Sequence, residues 1–126
     1  MALIPASVRR DLRRLSLGPD QEWGFWGWTF HDGGSTWAAV AFDTESGVIG
    51  WAGLTRQADV LPVVGCYVDP RHRGDELATG LVTRLLACLL ATGELDDVGA
   101  VFASTERWPG YADVLEGLGL RCLTWQ

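Results

Sequence analysis

The sequence predicts a mixed α/β layer structure: a mostly antiparallel sheet of about six strands flanked by about three helices. Three observations predict it. Four β-prone runs bounded by turn formers follow one another between residues 22 and 68, a long leucine-rich helical pattern occupies residues 75–92, and a strand, a helix and a strand close the chain. The 126 residues, 48% of them apolar, suit one domain over residues 1–126 with a single core.

After Pro5, residues 6–17 place Val8, Leu12 and Leu15 at helical spacing, with Ser7 as a cap and Gly18-Pro19 as a stop. Arg9, Arg10, Arg13 and Arg14 then share one broad face, read either as solvated or as a contact for a phosphate or a partner. Residues 22–30 interleave Trp23, Phe25, Trp26, Trp28 and Phe30 with Gly24 and Gly27, a strand that ends in the turn His31-Asp32-Gly33-Gly34. Residues 36–42 and 48–54 are β-prone and joined by Asp43-Thr44-Glu45-Ser46-Gly47, hence an antiparallel hairpin. A further strand is expected over residues 60–68, with Pro62 at an edge or bulge near its start and Asp69-Pro70 as its stop.

From residue 75 to 92, Leu77, Leu81, Leu85 and Leu89 recur every fourth position beside Val82, Leu86 and Leu90, a wide buried stripe that Gly93 stops. Residues 98–103 read as a buried strand, 111–118 as a second helix closed by Gly119, and 120–125 as the last strand.

The formal charge of -6 gives no general attraction for nucleic acid. All ten basic residues are arginine, so the chain has no lysine amine of its own to acylate. Cys66, Cys88 and Cys122, an odd number at wide spacing inside apolar segments, read as reduced thiols of a cytoplasmic protein. Two histidines, His31 and His72, cannot build a His-rich metal site, and no metal is expected. No apolar run reaches the length of a membrane span, and the N-terminus lacks a signal-peptide pattern.

The segment with the strongest chemical implication joins a strand ending Val68-Asp69-Pro70 to the long helix through Arg71-His72-Arg73-Gly74. A helix N-terminus beside a sheet offers unpaired N–H groups and a favourable dipole to a phosphate or pyrophosphate. Small residues at Gly74, Ala78 and Gly80 let such an anion approach the backbone.

YVDPRHRGDELATGLVTRLLACLL resembles the central motif of the GNAT acetyltransferase superfamily, a strand ending V-x-P that leads into R/Q-x-x-G-x-G/A and a long helix. VFASTERWPGYADVLEGLGL is similar to the strand, loop and helix that follow in that family, so the resemblance covers residues 61–120. It implies central strands that splay apart and an acetyl-CoA (or other acyl-CoA) cofactor. Cys66, Tyr67 and Val68 align with the strand whose backbone pairs with the pantetheine arm, Arg73 with the first residue of the pyrophosphate loop, and Gly74, Asp75, Glu76, Leu77, Ala78 and Thr79 with the amides that follow. Glu76 stands where the family usually has a glycine. Leu115 stands where many relatives carry the tyrosine that protonates the departing thiolate, and apolar residues around Phe102 and Ala103 replace a frequent glutamate base.

The resemblance implies direct attack of a neutral primary amine, from a small molecule or a peptide, on an acetyl thioester. Candidate proton-transfer residues are Glu106 and, if its helix turns it inward, Tyr111. Cys66 without a partner base reads as a core residue rather than a nucleophile, and His72 as structural or exposed. Trp23, Trp26 and Trp28 read either as core or as an aromatic wall for the acceptor. The alternative is a catalytically silent module that binds acyl-CoA or a protein partner; a homodimer is compatible with either.

Overall fold

Alternating burial drives the first half of the chain into four consecutive antiparallel strands. The computed structural model describes residues 20–31, 33–57, 60–72, 77–103 and 110–124. β1 (Gln21–Thr29), β2 (Ser35–Asp43), β3 (Gly47–Arg56) and β4 (Val63–Val68) form one meander. Phe25, Ala39, Ala41, Ala52, Leu54 and Val64 point to one face and are buried. Trp26, Trp28, Trp51 and Tyr67 alternate with them and point to the other, where they are exposed. β4 begins at Val63 rather than residue 60 because Pro62 has no N–H for a ladder; its carbonyl instead accepts from the Phe102 N–H at 2.8 Å.

The second half is parallel. β4 pairs with β5 (Ala100–Ala103) and β5 with β6 (Arg121–Leu123), so the sheet runs β1 to β6 in chain order. Parallel neighbours need crossovers, and here each carries a helix: α1 (Leu77–Ala91) and α2 (Tyr111–Gly117). Two right-handed crossovers stepping the same way put both helices on the same face. Leu81, Leu85 and Leu89 of α1 and Tyr111 and Leu115 of α2 accordingly enter one core with the inward residues of the strands. Among the described residues the opposite sheet face carries no helix. The helix expected over residues 6–17, with its arginines, lies outside the described residues, and a short 3-10 turn at Pro70–His72 precedes α1.

Both helices end as their glycines imply. At α1 the Glu94 N–H donates to the Leu89 carbonyl (3.0 Å) and the Gly93 N–H to Leu90 (3.3 Å), with Gly93 at φ +81°. At α2, Leu120 donates to Leu115 (2.9 Å) and Gly119 to Glu116 (3.0 Å), with Gly119 at φ +83°. Each pair is a Schellman closure, which needs a left-handed residue and so favours glycine.

Gly50 sets how closely α1 meets the sheet. A Cβ there would lie 3.0 Å from the Tyr67 carbonyl oxygen, 3.1 Å from Leu81 Cδ1 and 3.3 Å from Leu77 Cδ2. The glycine therefore lets the first turn of α1 settle onto β3 beside the end of β4. It sits next to a bulge, where the β2–β3 register shifts between Ala41 and Phe42 and Ile49 turns into the core.

Candidate active site

The end of β4 meets the start of the described α1, where the sequence places the candidate site. Along β3, β4 is paired from Val63 to Val68, opposite Thr55 to Gly50. Along β5, the described ladder stops after Val63↔Phe102 and Val64↔Ala103. Over residues 65–68 one edge of β4 is thus held by β3, while no described β5 residue lies opposite the other. The residues that follow Ala103, 104–109, lie outside the described residues.

Asp69 shapes the turn that follows. Its N–H donates to the Ile49 carbonyl (2.8 Å), and its carboxylate accepts from the Arg71 N–H (2.9 Å), Nε (3.2 Å) and Nη2 (3.0 Å). The Arg71 side-chain and main-chain bonds hold the Asp69 carboxyl down at about 2. A depressed carboxyl stabilises the fold fully above its ordinary value of 3.8, and that contribution is lost as pH falls through about 2. In thermal melts, Asp69→Asn is expected to lower Tm at neutral pH, and the gap to the parent chain should close between pH 4 and 2. Solvent around the exposed Arg71 keeps the effect small.

Arg73, Gly74, Asp75 and Glu76 of the expected pyrophosphate loop lie outside the described residues, as does Glu106. The remainder of the loop opens α1: Leu77 is buried, Ala78 half-buried and Thr79 exposed. On β4, Cys66 turns toward the helices, Tyr67 toward the open face and Val68 into the core.

α2 brings in a group from the far end of the chain. Tyr111, its first residue, is 2% exposed, and its hydroxyl hydrogen-bonds the Cys66 thiol. Burial pushes the Cys66 thiol up and this bond pulls it partly back, so the thiol is held protonated and unsuited to nucleophilic attack. Cys88, deeper on α1, is pushed by burial to about 11, and none of the three cysteines is disulfide-bonded. Leu115, one helical turn after Tyr111 on the same face, is wholly buried among core residues.

The aromatic group of β1 does not act as one wall. Trp23 faces the helices, where the buried Arg84 guanidinium lies 5.4 Å from its ring, while Trp26 and Trp28 face the other side of the sheet. The period of 2 separates them, and β1 lies three strand spacings, about 14 Å, from β4. Trp51 and Tyr67 are the open-face aromatics nearest the end of β4, paired directly across β3 and β4. Trp51 was legible as a tryptophan out of phase with the core residues Ala52 and Leu54.

A cavity of about 480 Å³ lies elsewhere, lined by Ser35, Trp37, Arg56, Leu61, Pro62 and Asp97 among others. Arg56 braces its rim by donating to the Glu94 carbonyl (2.6 Å) and the Asp97 carboxylate (2.5 Å). It opens at the start of β4, about 20 Å along the strand from Val68, so it is not where the end of β4 meets α1.

Residues 6–104 match the model of the acetyltransferase (GNAT) family. The chain belongs to the acetyltransferase (GNAT) family. The match spans the meander, α1 and β5 and ends before α2, so Tyr111 lies beyond it and its place is known from geometry alone. Neither a curated protein nor a solved structure matches the chain. Family membership carries acetyltransferase-type chemistry in general. No described helix is long and apolar enough to cross a membrane.

Proposed function

We propose that the chain is an N-acetyltransferase that moves an acetyl group from acetyl-CoA to a primary amine by direct attack. The observation that carries this reading is the meeting, at the end of β4, of the described start of α1 with the buried Tyr111 hydroxyl beside Cys66, in a chain of the acetyltransferase (GNAT) family. On the family resemblance, Cys66, Tyr67 and Val68 would meet the pantetheine arm through their main chain, and Arg73, Gly74, Asp75, Glu76, Leu77, Ala78 and Thr79 would hold the pyrophosphate through main-chain amides before and at the start of α1.

Acetyl-CoA supplies an acyl thioester already activated toward amines. The amine nitrogen would bond to the carbonyl carbon as the C–S bond breaks, with the developing oxyanion stabilised by a hydrogen-bond donor. Tyr111 would give its proton to the leaving sulfur, since a phenol holds its proton at neutral pH and this one is shielded from water. Glu106 is the candidate to take the proton that the amine sheds. Trp26 and Trp28 would border the acceptor only if it is long enough to reach β1.

A thermal-shift titration with acetyl-CoA and CoA, followed by thiol release over a panel of amines, tests the reading. At hundredfold excess over Kd, ligand binding is expected to stabilise the fold by about 2.7 kcal/mol. No stabilisation at millimolar ligand sinks both binding and transfer. Stabilisation without thiol release over the whole panel favours the silent acyl-CoA-binding module, for which the buried Leu115 at the family's tyrosine position is the specific support.

A further inference from the structure

We infer that the open face of the sheet is the interface of a homodimer, in which Tyr67 of each copy seats over Gly65 of the other across a two-fold axis. The face is large and apolar. Trp26 is 39% exposed, Trp51 42%, Tyr67 47% and Trp28 51%. No described helix covers them, and Glu22 is the one charged side chain that strand alternation turns to this face from the described β1 to β4.

Its shape argues for a protein surface rather than a small-molecule site. The Trp26 ring lies down over Gly24, where a Cβ would come within 2.4 Å of Cη2, and stands edge-on to Phe42 with centroids 5.7 Å apart. Trp51 likewise leans over Gly53, whose Cβ would be 3.4 Å from its Cζ3. Rings laid over glycines make a plate, whereas small ligands are held in concave sites. With aromatic side chains of about 150–250 Å² each, these four and the exposed Val48, Val63 and Phe30 present roughly 600 Å² per copy. Doubled, that is about 1,200 Å², above the ~1,000 Å² at which an interface becomes specific.

The plate is self-complementary. Trp51 and Tyr67 form one cross-strand row, and Gly53 and Gly65 form the next row on the same face, two residues along. A two-fold axis lying in the interface between these rows sets the large row of each copy over the small row of the other. Tyr67 then meets Gly65, where a side chain would find open space within its own chain, and the two Trp51 rings, each leaning toward the axis, stack. A foreign partner would have no reason to share that spacing.

Light scattering coupled to size exclusion, at tens of micromolar chain, reads the outcome. The parent chain is expected at twice 13.7 kDa. Gly65→Leu, which its own chain accommodates but the facing Tyr67 does not, is expected at the monomer mass with an unchanged far-ultraviolet spectrum, and Trp51→Glu likewise. Either variant that folds is sufficient. A parent chain that stays monomeric overturns the inference and leaves residues 1–19, a small aromatic amine or a foreign protein as the occupant. A dimer that survives both substitutions overturns it equally, since the contact then lies elsewhere.

Discussion

Tyr111→Phe is expected to lower kcat for acetyl transfer by about a hundredfold or more, while thermal stabilisation by CoA is retained. The hydroxyl is the one proton-bearing group on the described part of α2 that is both buried and bonded to a β4 side chain. Removing it deletes the proposed proton donor to the departing sulfur. The same change deletes a buried hydrogen bond to Cys66, at a cost to folding of about 1 kcal/mol. A purely structural tyrosine would show that loss in the melt and leave kcat nearly untouched. Steady-state kinetics beside a melt of the same preparation separates the two. Cys66→Ala sharpens the comparison: it removes the partner but not the proton donor, so kcat should fall far less than in Tyr111→Phe.

Gly50→Val is expected to destabilise the fold by roughly 2 kcal/mol, about 8 °C in Tm, and to weaken CoA binding as well. Valine is at home in strands, so the cost comes from packing rather than from propensity. Its Cβ meets the Tyr67 carbonyl at 3.0 Å, and that backbone oxygen is pinned by the β3–β4 ladder. Leu77 and Leu81 must then retreat, which lifts the first turn of α1 away from the end of β4. Since the proposed pyrophosphate site depends on that juxtaposition, the CoA titration curve should shift to higher concentration. Unchanged affinity in a destabilised Gly50→Val protein would count against the site.

Periodicity made most of the fold legible. The leucines every fourth residue in α1 and the stops at Gly93 and Gly119 each depend on neighbours within a few residues, and each holds in three dimensions. Errors fell at edges. The β4 start moved from residue 60 to Val63 past Pro62, and the last strand shrank to Arg121–Leu123. Strand ends are decided by whether a partner strand is present, which local sequence does not record.

The candidate site was legible only in part. The order of strand, turn and helix around Asp69-Pro70 pointed to the end of β4 before any coordinates, because a strand followed by a helix N-terminus has the same chemistry wherever it is packed. Trp23, Trp26 and Trp28 show the opposite case. As a string they form one aromatic cluster, yet alternation sends Trp23 under the helices and the other two to the open face.

By itself the sequence determined the class of fold and the order of the described elements, since these follow from local periodicity and turn chemistry. Tertiary structure decided what faces what. It brought Tyr111 to Cys66 across 45 residues of chain, gave Leu115 to the core, and laid Trp26 and Trp51 over glycines on the sheet face opposite the described helices. Those are non-local pairings, set by the register of strands and the seating of α1 on Gly50, and no window of neighbouring residues contains them.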